Sequence, residues 1–243
     1  MKIDLQALQK KLPIKMEFFD VIDSTSLYLA RKIKERSFVP ELVIADRQTN
    51  GQGRVGKKFY SPAATGLYLT FSFFEKDVLC DHVTPRIALA VSNAIFQTFG
   101  VSCGVKWVND IYLYQKKIAG VLCQRVGDYF LFGIGINLLP PSVVPEELMG
   151  KLGYLLDTCS EEKCVDLIVS LYQNIVDIMN ENVENVLDSY RKRCVHIGKK
   201  VQIEQDNKAL SGKCLGIADD FSILIEIDNE PVPFSSGFLS LKI

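Results

Sequence analysis

The segment GQGRVGKK, at positions 51–58, combines glycines with basic residues and is the first feature of the sequence that could do chemistry. Its glycine spacing, G-x-G-x-x-G, also occurs in dinucleotide-binding turns, where it links a strand directly to a helix. Here five polar residues (46–50) separate the loop from the apolar run at 41–45, and a strand-like run, LYLTFSFF, follows at 67–74. The loop is therefore predicted to join two strands, which disfavours a dinucleotide site.

The same loop is suited to holding an anion. Glycines allow backbone N–H groups to converge on phosphate oxygens, and Arg54, Lys57 and Lys58 place positive charge beside them. A flexible hairpin tip with solvated basic side chains would have the same composition. The rest of the chain has to decide between these two interpretations.

A second polar cluster, KWVND, lies at 106–110 and is followed by KKIAG at 116–120. If 111–114 forms a strand that ends in a tight turn, Asp110 and Lys117 face each other across a hairpin. A single surface ion pair contributes little to stability and needs no catalytic role. Several polar clusters at the strand ends of one domain are, however, typical of active sites.

Composition limits the classes of function. The chain has 243 residues, 48% of them hydrophobic, and a net charge of −1, which predicts one large domain, or one domain with a small appendage, and no general attraction to nucleic acid. No apolar run has the length of a membrane span, and the N-terminus lacks the apolar core of a signal peptide. A cytoplasmic protein without a membrane partner is expected.

The seven cysteines are scattered, odd in number and without a C-x-x-C pair, so they are expected to be reduced thiols. With only His82 and His196 available, no zinc-ligand pattern is present. A nucleophilic Cys–His pair has no support beyond composition.

Hydrophobic periodicity predicts an α+β chain. The predicted strands are 15–22, 41–45, 67–74, four short runs between 101 and 139 that form an antiparallel meander, and five short runs in 199–243. The predicted helices are 26–37, 85–99 and 161–193. The first helix has its N-cap in DSTS at 23–26, and Gly198 ends the last helical region.

Several motifs together resemble the biotin–protein ligases. They are DRQTNGQGRVGKKF, KWVNDI and KKIAGVL, with DSTS before them and FGIGINL and SGFLSL after them. This similarity extends from about residue 15 to residue 243. It implies an α+β fold with a mixed or antiparallel sheet flanked by helices, as in class II synthetases, and a small C-terminal SH3-like β-barrel. The implied domains are 1–195, which binds biotin and ATP, and 196–243, the barrel.

By this resemblance, the protein is expected to use ATP and Mg²⁺ to convert biotin to biotinyl-5′-AMP. It would then transfer biotin to one lysine of a biotin carboxyl carrier protein, for example the acetyl-CoA carboxylase subunit. A lipoate– or octanoate–protein ligase or transferase of similar fold is the alternative. A non-catalytic module that sequesters biotin is disfavoured because Asp110 and Lys117 are both present, and a nucleic-acid-binding barrel because the tail has few exposed basic and aromatic residues.

The resemblance also implies the site residues. Those expected to bind biotin are Ser24, Thr25, Ser26, Gln48, Gly51, Gln52, Gly53, Arg54 and Lys117, and those expected to bind the nucleotide are Arg54, Lys57, Phe59, Trp107, Asn109, Lys117 and Asn137. The four residues from Ser24 to Gln48 in the first list would hydrogen-bond the ureido ring. The expected catalytic residues are Lys117, Asp110 and Arg54, and Asp110 would either hold Mg²⁺ or act as a base on the incoming lysine.

The sequence departs from the usual family motifs at several positions. In the loop pattern G-R-G-R-x-G-R-x-W, Gln52 replaces the first Arg, Lys57 the later Arg and Phe59 the Trp. Val108 replaces Pro in KWPND, and Ser26 replaces Asn in S-T-N. In the family this first Arg helps to retain the intermediate, so the resemblance implies weaker retention of biotinyl-AMP here. The loop itself is expected to be a lid that becomes ordered on ligand binding and excludes water.

Longer members of the family carry an N-terminal helix-turn-helix domain and act as repressors. Only about 15 residues precede the first predicted strand, too few for three helices, so no DNA partner is expected. The sequence leaves monomer and homodimer open, because an unpaired sheet edge could pair with another copy or with a strand of the carrier.

Overall fold

The computed structural model describes residues 3–78, 80–205 and 208–241. The helices are α1 (Leu5–Lys11), α2 (Thr25–Lys34), α3 (Val83–Phe99), α4 (Glu161–Asn180) and α5 (Val183–Arg193). The strands are β1 (Met16–Ile22), β2 (Leu42–Gln48), β3 (Gly66–Phe74), β4 (Gly104–Lys106), β5 (Asp110–Leu113), β6 (Lys116–Val126), β7 (Tyr129–Asn137), β8 (Lys200–Gln205), β9 (Lys208–Ile217), β10 (Ile223–Ile227), β11 (Glu230–Phe234) and β12 (Phe238–Leu241).

The first sheet has seven strands in the order β1-β2-β3-β7-β6-β5-β4. Only β1 and β2 are parallel, and every other neighbouring pair is antiparallel. Strands β4 to β7 therefore form the predicted meander, and the predicted class, a mixed sheet flanked by helices, is confirmed.

Successive side chains of a strand point to opposite faces of the sheet, and both faces of the first sheet bury apolar side chains. Leu42 and Ile44 of β2 lie in the large core that contains α3 and α4, whereas Val43 between them packs with Leu29 of α2 and with Leu131. Each side chain of this kind, fully buried, stabilises the fold by about 1.5–3 kcal/mol. The sheet is thus covered by α3 and α4 on one face and by α2 on the other.

The turn that enters α2 has the predicted cap. The side chain of Ser24 accepts a hydrogen bond from the N–H of Leu27, and basic residues at 31, 32 and 34 complement the dipole in the last turn. Because the helix begins at Thr25, the hydroxyl groups of Thr25 and Ser26 lie in its first turn, where both are buried. The DSTS motif therefore delivers polar side chains to the α2 face of the sheet.

The second sheet has five strands in the order β11-β10-β9-β8-β12, all antiparallel. Its apolar residues, including Val201 and Ile225, belong to the same continuous core as the first sheet. The indole Nε1–H of Trp107 donates to the carbonyl of Phe221 across this junction, at 2.8 Å. Closure of this sheet into an SH3-like barrel and a domain boundary at 195/196 stay predictions.

Three details of the fold differ from the prediction. Helix α1 was not predicted; Asp4 caps it, and Lys11 ties it to Asp166 of α4 at 2.7 Å. Strand β2 continues three residues beyond 45, because Arg47 and Gln48 still pair with β1. The helical stretch 161–193 is interrupted at 181–182, where Asn182 caps α5. Within the described residues, no helix could span a membrane.

Candidate active site

A hollow lies on the α2 face of the first sheet because glycines occupy its central rows. Gly135 of β7 is paired with Tyr68 on one side and with Gly120 on the other, and Gly120 is paired with Asp110. Directly opposed residues point to the same face, so this row runs across the sheet without filling the space above it. In the next row, Gly133 lies between Thr70 and Leu122.

Neighbouring side chains already occupy the room that these glycines leave. A Cβ atom on Gly135 would lie 2.5 Å from Cε1 of Phe59, and one on Gly133 would lie 2.6 Å from Oγ of Ser26. Both distances are too short for real contacts, so any larger residue would displace the Phe59 ring or the Ser26 hydroxyl. The glycines are therefore required by the close approach of these two side chains.

Two adjoining cavities open above this row. The first has a volume of about 360 Å³, and the second, about 500 Å³, shares Gln48, Lys58, Phe59 and Lys117 with it. The predicted residues that line the first cavity are Ser24, Thr25, Ser26, Gln48, Gln52, Gly53, Arg54, Lys57, Phe59, Trp107, Asn109, Asp110 and Lys117. Gly51 and Asn137 line the second. Every predicted site residue thus borders one cavity or the other; the role of each stays a prediction.

A buried polar network lies at one end of the first cavity. Gln48 Oε1 accepts from the N–H of Thr25 at 2.9 Å and from its hydroxyl at 3.2 Å. The hydroxyl of Thr70 lies 2.8 Å from that of Thr25 and 2.9 Å from that of Ser26, and Gln48 Nε2 donates to Oγ of Ser61 at 3.0 Å. The network fixes this end of the cavity as a set of oriented donors and acceptors.

The glycine loop folds as a short hairpin between β2 and β3, which confirms that it joins two strands. The N–H of Gly53 donates to the carbonyl of Lys57 at 2.7 Å, and the N–H of Phe59 donates to the carbonyl of Gly51 at 2.9 Å. Gly56 has φ +72°, in the left-handed region that favours glycine. The side-chain amide of Gln52 donates to the carbonyl of Asn50 at 2.7 Å, within the loop.

Lys117 and Asp110 form an ion pair where the two cavities meet. Nζ of Lys117 lies 2.7 Å from Oδ1 of Asp110 and 5.6 Å from the centroid of the Phe59 ring. Strand pairing places Lys117 opposite Tyr112 rather than Asp110, so the side chain reaches diagonally along the hairpin. The predicted approach of the two residues is confirmed.

Two buried asparagines hold the backbone around this pair. Asn109 donates through Nδ2 to the carbonyl of Val121 at 2.8 Å and accepts at Oδ1 from Nη1 of Arg54 at 3.3 Å. Asn137 donates to the carbonyl of Gly153 at 3.0 Å and to that of Lys117 at 3.4 Å. Asn109 therefore orients Arg54, and Asn137 ties Lys117 to the segment that borders the second cavity.

The first cavity is positively charged. Five basic residues line it, Arg54, Lys57, Lys58, Lys106 and Lys117, against two acidic ones, Asp110 and Glu204. Burial lowers the pKa of the Lys106 ammonium; Asp110 opposes this effect, and Lys117 and Lys57 add to it. An excess of ammonium and guanidinium groups in a partly buried cleft favours anionic ligands, because such ligands offset the mutual repulsion of the cations.

Sequence reasoning missed part of the lining. Lys106, whose ammonium lies 3.4 Å from the hydroxyl of Tyr112, was noticed as polar but given no role. The second sheet contributes Glu204 and residues 237–240, although no site residue was predicted in 196–243. Only the packing of the two sheets brings these residues to the cavity, so no local signal in the sequence could have identified them.

Trp107 and the Cys194–His196 pair are parts of the core. Trp107 is 3% exposed, and its indole N–H is engaged by the second sheet, so its predicted nucleotide contact is limited to the ring. Sγ of Cys194 lies 3.5 Å from Nδ1 of His196. Burial raises the pKa of this thiol to about 12 and lowers that of the imidazole to about 4, which opposes the thiolate–imidazolium form that a nucleophile needs.

Comparison with models of protein families shows to which family this chain belongs. The model of the biotin/lipoate A/B protein ligase family matches residues 18–140, just over half of the chain. The chain belongs to this family. The matched region contains most of β1, all of β2 to β7, the glycine loop and both asparagines, and therefore the greater part of the lining of the two cavities.

Members of the family and a solved structure resemble the chain over most of its length. The bifunctional ligase/repressor BirA of Salmonella typhimurium is 27% identical over 236 residues, which cover 91% of this chain and 72% of BirA. The biotin–[acetyl-CoA-carboxylase] ligase of Mycobacterium tuberculosis is 26% identical, covering 86% and 82%. The structure of biotin protein ligase from Aquifex aeolicus in complex with biotin and ATP has a TM-score of 0.79 at 25% identity, covering 94% and 98%.

Proposed function

We propose that this protein is an ATP-dependent biotin–protein ligase that forms biotinyl-5′-AMP and transfers biotin to a lysine of a biotin carboxyl carrier protein. The observation that carries the proposal is the junction of two cavities at the Lys117–Asp110 pair, where an acyl carboxylate and a nucleotide phosphate can meet. Three relatives support the assignment, since one is named as a biotin–[acetyl-CoA-carboxylase] ligase, one as a bifunctional ligase/repressor, and one was solved with biotin and ATP.

The first cavity suits biotin. Its polar end offers the hydroxyl groups of Ser24, Thr25 and Ser26 and the amide of Gln48 to the ureido N–H and C=O groups. Apolar lining residues, Leu69, Val121 and Leu122, suit the sulfur-containing ring and the valeryl chain. A lipoyl ring or an octanoyl chain has no hydrogen-bonding groups for that polar end, so the network favours biotin over the acyl groups of the alternative function.

The second cavity suits the nucleotide. Asn137, Tyr112 and Lys151 supply polar groups, and Pro145, Leu148 and the Phe59 ring supply apolar surface for a base. The phosphates would then extend toward the junction, where Lys117 borders both cavities. This arrangement presents the α-phosphate to the carboxylate of a biotin molecule bound in the first cavity.

In the first step, a carboxylate oxygen of biotin attacks the α-phosphorus, and pyrophosphate leaves. Negative charge gathers on the phosphate oxygens, and fixed cations stabilise this charge. Lys117 lies between the two cavities, and Arg54 is oriented by Asn109 toward the first. The ion pair with Asp110 holds the ammonium of Lys117 in place, which reduces the reorganisation needed as the reaction proceeds.

In the second step, the neutral ε-amine of the carrier lysine attacks the acyl carbon, and AMP leaves with the electron pair of the broken C–O bond. The attacking nitrogen loses one proton in the process. Asp110 is the acidic residue nearest to Lys117 in the cavity and is the base we assign, while Lys117 stabilises the phosphate of the departing AMP.

The donor set also fits Mg²⁺ supplied with ATP. This ion commonly binds to one or two carboxylates together with substrate phosphates and water, and Asp110 provides one carboxylate at the junction. Bound there, Mg²⁺ would neutralise charge on the phosphates. Among the described residues, no cluster of three or more acidic, histidine or cysteine side chains could hold a metal without the nucleotide.

The test is direct. The purified protein is mixed with MgATP and either biotin or lipoate, and the acyl-adenylate is detected by mass spectrometry, with a biotin carboxyl carrier protein added afterwards. We expect biotinyl-AMP and a carrier that gains one biotin. Formation of lipoyl-AMP alone would move the protein to the lipoate branch, and formation of neither adenylate would refute the proposed function.

A further inference from the structure

The second sheet forms one wall of the first cavity. Gly237, Phe238, Leu239 and Ser240, at the start of β12, line it together with Glu204 of β8. Phe238 is paired with Glu204 in the antiparallel β8–β12 ladder. These residues lie in the predicted barrel, 196–243, for which no site residue was expected.

One contact joins this wall to the glycine loop. Nζ of Lys57 lies 3.6 Å from the centroid of the Phe238 ring, well within the distance at which a cation is attracted to an aromatic face. Among the described residues Lys57 has no ion pair, and its side chain is exposed on the loop. The ring of Phe238, half-buried, is therefore the group that fixes this ammonium beside the cavity.

The position of the ring is determined by the backbone before it. Gly237 has φ +137°, a conformation that residues with a side chain rarely adopt. A Cβ atom there would lie 2.9 Å from Cγ1 of Ile203 and 3.1 Å from the carbonyl oxygen of Glu204. The turn into β12 thus packs directly against β8, which gives Phe238 a rigid support.

An aromatic ring holds an ammonium without neutralising it. A carboxylate at the same place would form an ion pair with Lys57 and would compete with a phosphate for it, whereas the ring face attracts the cation only through its quadrupole. The Lys57 ammonium can therefore still interact with an anion in the cavity. The contact restricts the position of this ammonium without placing a competing carboxylate beside it.

We propose that Phe238 is a positioning residue for adenylation: its ring holds the Lys57 ammonium, and with it the glycine loop, over the first cavity, so that the phosphates of ATP meet a cation already in place. This inference rests on the proposed ligase function. It assigns to the second sheet a defined part in nucleotide binding, through Lys57 and not through direct contact with the reacting atoms.

A double-mutant cycle tests the coupling. Biotinyl-AMP synthesis is measured for the parent, Phe238→Leu, Phe238→Tyr, Lys57→Met and the Phe238→Leu/Lys57→Met double variant. From the strength of such contacts we expect Phe238→Leu to lower kcat/KM for ATP about threefold to tenfold, mainly through KM, with little change in KM for biotin. Phe238→Tyr, which keeps the ring, should retain parental values.

The double variant gives the decisive comparison. If Phe238 acts through Lys57, adding Phe238→Leu to Lys57→Met causes no further loss. Fully additive losses would overturn the proposal, because they would mean that Phe238 supports activity in some other way. Phe238→Met, which has a similar volume but no ring, provides the same comparison if Phe238→Leu does not fold, as judged by thermal unfolding.

A second readout does not depend on activity. Brief acetylation with an N-hydroxysuccinimide ester, followed by peptide mass spectrometry, measures how accessible each lysine amine is. We expect Phe238→Leu to raise the labelling rate of Lys57 and to leave exposed Lys34, at the end of α2, unchanged. An unchanged rate at Lys57 would overturn the contact, whereas absence of biotinyl-AMP from the parent protein would refute the ligase function and leave this result valid.

Discussion

The N–H of Trp107 donates a hydrogen bond to Nε2 of His196, 3.1 Å away, in a site where the imidazole is fully buried. A ring nitrogen that accepts from a backbone N–H is unprotonated. This bond joins the end of β4, three residues before Asp110, to the chain that leads into the second sheet. The hairpin that contains Asp110 and Lys117 is thus connected, through Trp107, to a buried neutral histidine.

This arrangement predicts a loss of stability at mildly acidic pH. Burial, with further contributions from Lys106 and Lys199, lowers the pKa of His196 from about 6.5 to about 4. The unfolded chain therefore binds the proton first, and stability that is present above pH 6.5 is lost as the pH falls from 6.5 toward 4, by on the order of 3 kcal/mol. The free energy of unfolding, measured with urea at pH 7, 5.5 and 4.5, tests this prediction.

The control for this effect is His196→Gln, which keeps an acceptor but cannot be protonated in this range. Its stability should change less between pH 7 and 4.5 than that of the parent. Equal slopes for the two proteins would show that carboxylates, and not His196, cause the acid sensitivity.

Lys117→Arg should abolish most adenylation despite keeping the charge. A planar guanidinium cannot replace a compact ammonium that lies 2.7 Å from Asp110 and at the junction of two cavities. We expect the rate of biotinyl-AMP formation to fall about 10²-fold or more, as is typical when a charge-stabilising group is lost. Lys116→Arg, at the exposed neighbouring position, is the matched control and should behave as the parent. Near-parental turnover by the Lys117 variant would remove this residue from the mechanism.

Gly133→Ala should weaken biotin binding selectively. The new methyl group would lie 2.6 Å from Oγ of Ser26, so the hydroxyl must move and the polar end of the first cavity must rearrange. We expect the KM for biotin to rise roughly tenfold, corresponding to about 1.4 kcal/mol, with a smaller change for ATP. Gly216→Ala, where an added Cβ meets nothing within 4 Å, is the control. Equal changes for both substrates would indicate general disruption of the sheet.

Gln52→Arg should slow the escape of the intermediate. Gln52 lines the first cavity, and its side-chain amide donates a hydrogen bond to the carbonyl of Asn50. Because this amide is neutral, it adds no positive charge to the cavity. An Arg there would add one, and we expect a lower dissociation rate of biotinyl-AMP and less biotinylation of unrelated lysines in a protein mixture. A parental dissociation rate as slow as that of ligases with Arg at this position would contradict the idea of a leaky site.

The elements that carry the motifs were largely predictable, because hydrophobic periodicity and capping residues act over short distances. Ser24 caps α2 as expected, and the two strands around the glycine loop lie where the apolar runs are. Helix α1 was missed because its seven residues contain few apolar positions, and its place depends on packing against α4.

The shape of the site could not be derived from the sequence. In the sequence, Gly133 and Gly135 are only two glycines in an apolar run. The strand register, which the structure provides, places them opposite Thr70 and Tyr68. Likewise, nothing local connects Phe238 with Lys57, which are far apart in sequence and meet only because the second sheet packs beside the loop. Strand register and sheet packing depend on residues that are far apart in sequence. The kinds of functional group in the site could therefore be predicted, but the residues that form the walls of the cavities could not.

The continuous core beneath both sheets has a consequence for cooperativity. Trp107 and Tyr190 pack together with Phe221, and the apolar interior of the second sheet has no boundary with that of the first. A chain cut at residue 195 would expose these rings to water instead of leaving a complete smaller domain. We therefore expect both sheets to melt in one calorimetric transition, at the temperature at which ligase activity is lost.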